Sequence, residues 1–155
     1  MSQISMFNVQ QAEFTSDDYY TPAYIFEKMD LSFDLDVASP PGGIDYIPAA
    51  QFFSQVDDGL SKEWSGRVWM NPPFSNVKIW IAKFIQHGNG VALITMSKSK
   101  WFESVWNSDI AIVALPPSLK FFTPVGSMET IFMPVVMIAI GDDNVKAISK
   151  LGRVR

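Results

Sequence analysis

The sequence has no cysteine and a single histidine, His87, in 155 residues. Without cysteine there are no disulfides, no thiolate nucleophile and no cysteine-held zinc, and one histidine excludes a multi-histidine metal site. Long apolar runs are missing too. The longest, 131–140, is interrupted by Pro134 and falls short of the roughly 20 residues that a membrane-spanning helix needs. No basic start leads into an apolar stretch at the N-terminus, so no leader or membrane contact is expected and a cytoplasmic protein is. Internal repeats and low-complexity tracts are absent, which argues against solenoids and arrays.

What is present describes a folded globule with an aromatic-rich core: 48% hydrophobic residues, 14% aromatic and 18% charged. The length suits one domain, read as 18–155, preceded by a lead-in over 1–17. The net charge of −4 is unevenly spread. Residues 1–77 carry Lys28, Lys62 and Arg67 against eleven acids, whereas 78–155 carry nine bases against five. A polyanion is therefore expected to meet the second half.

Thr21-Pro22 predicts a helix opening, with Thr as the cap and Pro in the first turn, where its missing N–H costs nothing. Phe33-Asp34-Leu35 reads as a strand ending in Asp36 and a Pro- and Gly-rich turn. A second strand, 67–70, must stop at Asn71-Pro72-Pro73, because consecutive prolines cannot donate to a ladder. Ser75 is predicted to cap a helix burying Ile79, Trp80, Phe84 and Ile85, closed near Gly88. Then come a buried-type strand at 91–96, a polar loop at 97–100, a helix at 101–107 and a strand at 110–115. Phe121-Phe122 and 130–140 are expected to pair as a closing antiparallel hairpin, with Pro134 favouring an edge or bulge.

Strands alternating with helices predict an α/β fold with a mainly parallel sheet covered on both faces. Asp36, Asn71 and Ser97-Lys98 each follow directly on a strand. In such a sheet the carboxyl ends of the strands form the ligand crevice, so these three clusters share one edge.

The sharpest signal is Asn71-Pro72-Pro73-Phe74. Asn-Pro-Pro-aromatic arises by chance in a chain of this length on the order of once in a thousand sequences, before a preceding strand is required. The adenine amino nitrogen is a poor nucleophile because its lone pair is delocalised into the ring. Two acceptors, the Asn71 side-chain oxygen and the Pro72 carbonyl, can take its two N–H bonds and favour a pyramidal nitrogen. The prolines hold the backbone in shape, and Phe74 offers a stacking face to an extruded base. Such acceptors favour the positive charge that develops on nitrogen, and no general base is demanded.

These residues resemble the small bacteriophage-type DNA N6-adenine methyltransferases. The likeness rests on Tyr20-Thr21-Pro22, the segment Phe33 to Ser39, Asp58-Gly59-Leu60 with Trp64-Ser65-Gly66, the segment Val68 to Phe74, Trp80, and Val91 to Phe102. It spans roughly 19–125. The resemblance implies a Rossmann-like three-layer sandwich of the class I methyltransferase type, closed by the C-terminal antiparallel pair, with S-adenosylmethionine as cofactor. Asn71, Pro72, Pro73 and Phe74 are the catalytic residues it implies, and Thr21, Pro22, Asp36, Ala38, Ser39 and Asp58 the cofactor-binding ones. Asp36, Ala38 and Gly42 stand at the spacing of an Asp-x-Ala-x-x-x-Gly cofactor loop, although Pro40-Pro41 replaces its usual small residues. Among the neighbouring acids, Asp45, Asp57 and Asp58 stay open as cofactor contacts. Lys98, Lys100 and Trp101 are candidates for DNA contact.

The expected partner is DNA with its target adenine flipped out, in a bacterial host and encoded by a phage or prophage, with no metal and no membrane. Absence of cysteine excludes cytosine C5 chemistry, which needs that nucleophile. Asn before the prolines, in place of Ser, favours adenine over cytosine N4 by family pattern. Methylation of a protein glutamine amide or an RNA base, and a non-catalytic DNA- or cofactor-binding homologue, are the alternatives. The chain length is expected to leave target selectivity short, with loop 125–129 or a second subunit of a homodimer adding contacts.

Overall fold

The computed structural model describes residues 19–130 and 133–155, so the expected lead-in at 1–17 lies outside them. Four helices, α1 (Ala23–Met29), α2 (Val77–His87), α3 (Lys100–Trp106) and α4 (Asp142–Ile148), accompany eight strands among the described residues. The strands are β1 (Phe33–Asp36), β2 (Ala49–Phe52), β3 (Val68–Met70), β4 (Gly90–Thr95), β5 (Ala111–Ala114), β6 (Lys120–Phe122), β7 (Met128–Thr130) and β8 (Val135–Ile140).

Six of them form one sheet in the order β2-β1-β3-β4-β8-β5, and β6 pairs with β7 in a separate hairpin. β2, β1, β3 and β4 run parallel, while β8 is antiparallel to both neighbours. The architecture is thus a mixed α/β fold with a mainly parallel sheet and antiparallel pairing toward the C-terminus. Side chains on α1 (Phe26, Met29) and α4 (Ile148) pack with Trp69, Leu93 and Met137 on one face. On the other, α2 (Trp80, Phe84) and α3 (Phe102, Val105) pack with Val68, Ile94 and Ile138. Strand alternation sends Trp69 to one face and Val68 to the other, so the sheet is sealed on both sides.

Three expectations change. The closing hairpin pairs Lys120 with Thr130 and Phe122 with Met128, whereas 135–140 enters the middle of the main sheet. Pro134 does not prevent this because it stands just outside β8 and contributes only its carbonyl, to Met96 N at 2.9 Å. On α2 the buried residues are Val77, Trp80, Ile81 and Phe84, while Ile79 and Ile85 are exposed. A 3₁₀ turn at Phe74–Asn76 precedes the helix and makes Asn76, not Ser75, its N-cap, while the period of about 3.6 residues puts Ile79 and Ile85 on the flanks of the buried stripe. Thr21 is not the cap of α1, since Pro22 occupies that position and carries no side-chain cap bond.

Candidate active site

Two strand ends and a three-residue strap enclose a cleft of about 490 Å³ at the carboxyl edge of the parallel strands. Asp36 is the last residue of β1, and Asn71 follows β3, where the two prolines end the ladder. Both line the cleft, as do Thr21, Ala38, Ser39, Asp58 and Pro73. The strap is Tyr19-Tyr20-Thr21, which pairs through Tyr20 with Phe122 in both directions, at 2.8 and 3.0 Å, and so joins the β6–β7 hairpin.

Asn71 donates from Nδ2 to the Tyr19 carbonyl at 3.0 Å. That bond commits the amide nitrogen to the strap and leaves Oδ1 as the acceptor for a ligand. The Pro72 carbonyl accepts no loop or turn N–H among the described residues. Pro73 O instead takes the Asn76 N–H at 3.1 Å, which closes the turn after the prolines.

Asp36 is buried, and burial pushes its carboxyl up to about 7, opposed in part by the hydrogen bond that Oδ1 accepts from Ala38 N at 3.2 Å. A desolvated carboxyl with one N–H partner is strongly favoured by an arriving cation. Thr21 adds a second unfilled demand. Its Oγ1 is buried without a hydrogen-bond partner among the described residues.

Asp58 opens a 3₁₀ turn in the left-handed region at φ 58°, which Asp tolerates better than most residues. The turn is fastened from behind. Lys83 Nζ donates to the carbonyls of Leu60 at 2.8 Å and Lys62, and lies 5.0 Å over the Trp64 ring, whose Nε1 donates to Gly59 O at 2.8 Å. Of the three open acids, Asp58 alone lines the cleft. Asp57 accepts from Ser54 N at 2.9 Å as a turn acid, and Asp45 is exposed.

Other predicted residues stand outside the lining. Pro72 is buried between the lining residues Asn71 and Pro73, Pro22 is the buried N-cap of α1, and Phe74 is partly buried against the core that contains Trp69. Lys98 and Lys100 are exposed, and Trp101 packs at 5.6 Å edge-on to Phe102. Sequence reasoning missed Tyr19, Gln55, Ile44 and Ile47 as lining residues. Gln55 follows β2 at the same edge, so only recognition of that strand would have found it. β2 itself, a short exposed edge strand, carries no apolar periodicity that would reveal it.

An open, mainly parallel sheet with a polar cleft at its strand ends is the arrangement in which α/β proteins commonly take a ligand at that crevice. The chain belongs to the DNA N-6-adenine-methyltransferase (Dam) family, whose model matches residues 9–122. Its activity is methylation of DNA adenine at N6, and the family implies S-adenosylmethionine as methyl donor and DNA as substrate. No match is found among curated proteins or among solved structures. Among the described residues no cluster of His, Cys, Asp and Glu is able to hold a metal, and no helix is long and apolar enough to cross a membrane.

Proposed function

We propose that this cleft binds S-adenosylmethionine beside an extruded adenine, and that Asn71 with the Pro72 carbonyl grips the amino group that is methylated. The observation that carries the reading is that Asn71, Asp36 and Thr21 line one hollow. Its volume of about 490 Å³ lies within the range of roughly 300–1,000 Å³ typical of small-molecule sites.

The residues fit the donor. Buried Asp36 offers a carboxylate to an ammonium group, and the partnerless Thr21 hydroxyl offers a hydrogen bond. Ala38, Ser39 and Asp58 complete that side, and Pro22 sets the backbone that presents Thr21. When bound, S-adenosylmethionine supplies an electrophilic methyl group on a sulfonium. This chain's part is to hold the acceptor amine: Asn71 Oδ1 and Pro72 O accept its N–H bonds, draw the nitrogen toward a pyramidal shape and stabilise the charge it gains. Pro73 keeps the turn rigid, and the accessible part of Phe74, beside the cleft, is the stacking face for the base.

We assign the sheet to the class I methyltransferase sandwich, Rossmann-like in its parallel half, with the inserted antiparallel β8 supporting the assignment. Lys98 in the loop after β4 and Lys100 and Trp101 at the start of α3 are the phosphate- and base-facing residues, and 125–129 at the hairpin tip adds contacts that select the target sequence. A phage or prophage origin and action inside a bacterial cell fit this reading, and a second subunit is a further source of DNA contacts.

The test is transfer of tritium from labelled S-adenosylmethionine in parallel reactions with duplex DNA, RNA and protein extract. Label in DNA, released as N6-methyladenine, is expected. Label confined to RNA or protein overturns the reading. Sequencing methylated adenines in an expressing host then reads out the selected sites.

A further inference from the structure

We infer that Tyr46 is a positioning residue for the donor side of the cleft, acting through Thr21. The inference rests on the reading of Thr21 as a donor contact. Tyr46 lies in the turn between β1 and β2, and its hydroxyl donates to the Thr21 carbonyl at 2.5 Å. Its ring packs at 6.2 Å from both Phe26 of α1 and Phe122 of the β6–β7 hairpin. One side chain therefore joins three elements that meet at the strap.

The strap needs such a fastening. Thr21 precedes α1 without taking part in its hydrogen bonds, and its hydroxyl has no partner among the described residues to orient it. Upstream, Tyr20 is tied to Phe122 and the Tyr19 carbonyl holds Asn71. The Tyr46 bond is the corresponding tie at the Thr21 end. Burial raises the Tyr46 phenol to about 12, so it stays protonated and donating at neutral pH. A hydrogen bond of this kind holds the Thr21 main chain and thereby the position from which its side chain leaves, so a ligand meets the hydroxyl without first having to order the strap.

A double-mutant cycle on the full chain tests this with Tyr46→Phe, Thr21→Val and both together. Calorimetric titration with S-adenosylmethionine gives the affinity, and thermal denaturation without ligand gives stability. Tyr46→Phe removes one oxygen and keeps the ring contacts. It is expected to weaken donor binding about five-fold alone, but less than about two-fold in the Thr21→Val background, because the hydroxyl it orients is already gone. The fall in melting temperature is expected to be equal in the two backgrounds, which a merely structural role predicts for affinity as well.

Equal affinity losses in both backgrounds, or no loss from Tyr46→Phe while Thr21→Val weakens binding, overturn the positioning role and leave the donor site standing. No loss from Thr21→Val alone overturns the donor reading of Thr21, and the role of Tyr46 with it.

Discussion

Asn71 gives its amide N–H to the main-chain carbonyl of Tyr19, 3.0 Å away and 52 residues earlier in the chain. This bond decides which end of the amide is available in the cleft. Asn71→Ala is expected to lower the rate of methyl transfer by about 10²- to 10³-fold, the scale of losing one preorganised transition-state contact. Donor affinity should change by less than about three-fold, since the strap loses its Asn71 tie but keeps those of Tyr20 to Phe122 and of Tyr46 to Thr21. Asn71→Asp keeps acceptor oxygens but faces a carboxylate toward the Tyr19 carbonyl, and its rate is expected to lie between the two. Single-turnover kinetics with calorimetric binding checks both.

Asp36 makes stability and donor binding respond to pH in opposite directions. Its carboxyl lies at about 7 in the folded chain against an ordinary 3.8. Between those values the folded state binds more protons than the unfolded state, so raising the pH through that window removes stability, on the order of 4 kcal/mol at most. Asp36→Asn should therefore melt higher than the unaltered chain at about pH 8 and show a flatter pH profile. Binding of the cationic donor should strengthen as the pH rises through about 7, with release of a proton, and lose this dependence in Asp36→Asn. Titrations in buffers of different ionisation enthalpy count that proton.

Gly59 sits where a side chain has no room. A Cβ there would lie 2.2 Å from the Val37 carbonyl oxygen and 3.2 Å from the Trp80 ring. Gly59→Ala is expected to destabilise the chain by about 1–3 kcal/mol and to weaken donor binding, because the Asp58 turn must move away from the β1 end. Urea denaturation measures the first effect and calorimetry the second.

Lys98 and Lys100 are exposed and stand apart from the cleft lining. Replacing either by Ala should weaken DNA binding and reduce the slope of log affinity against log salt by about 0.9 per lysine, with donor affinity unchanged. Unchanged salt dependence in the double replacement would remove this loop from the DNA-binding surface.

The readable part of the site was set by local chemistry. Two prolines after Asn71 must end a strand, and Asp36 ends another, so a parallel sheet brings both to one edge whatever the rest of the chain does. The error on α2 had a local cause as well. At about 100° per residue Ile79 and Ile85 fall on opposite flanks of the Trp80–Phe84 line, whereas Val77, Trp80, Ile81 and Phe84 share an arc of about 100°, and it is this set that is buried.

Residue order alone established the absence of thiol and multi-histidine chemistry, the α/β alternation and the kinked tetrapeptide at 71–74, because each follows from residue type or from neighbours a few positions apart. Folding in three dimensions placed β8 between β4 and β5, put Asp58 rather than Asp45 or Asp57 into the cleft lining, and drew Tyr19-Tyr20-Thr21 across the strand ends to touch Asn71, Tyr46 and Phe122. Those contacts join residues 25 to 102 positions apart, as Tyr46 with Thr21 and Tyr20 with Phe122 show. Their partners are chosen by sheet register and packing, which no local pattern encodes.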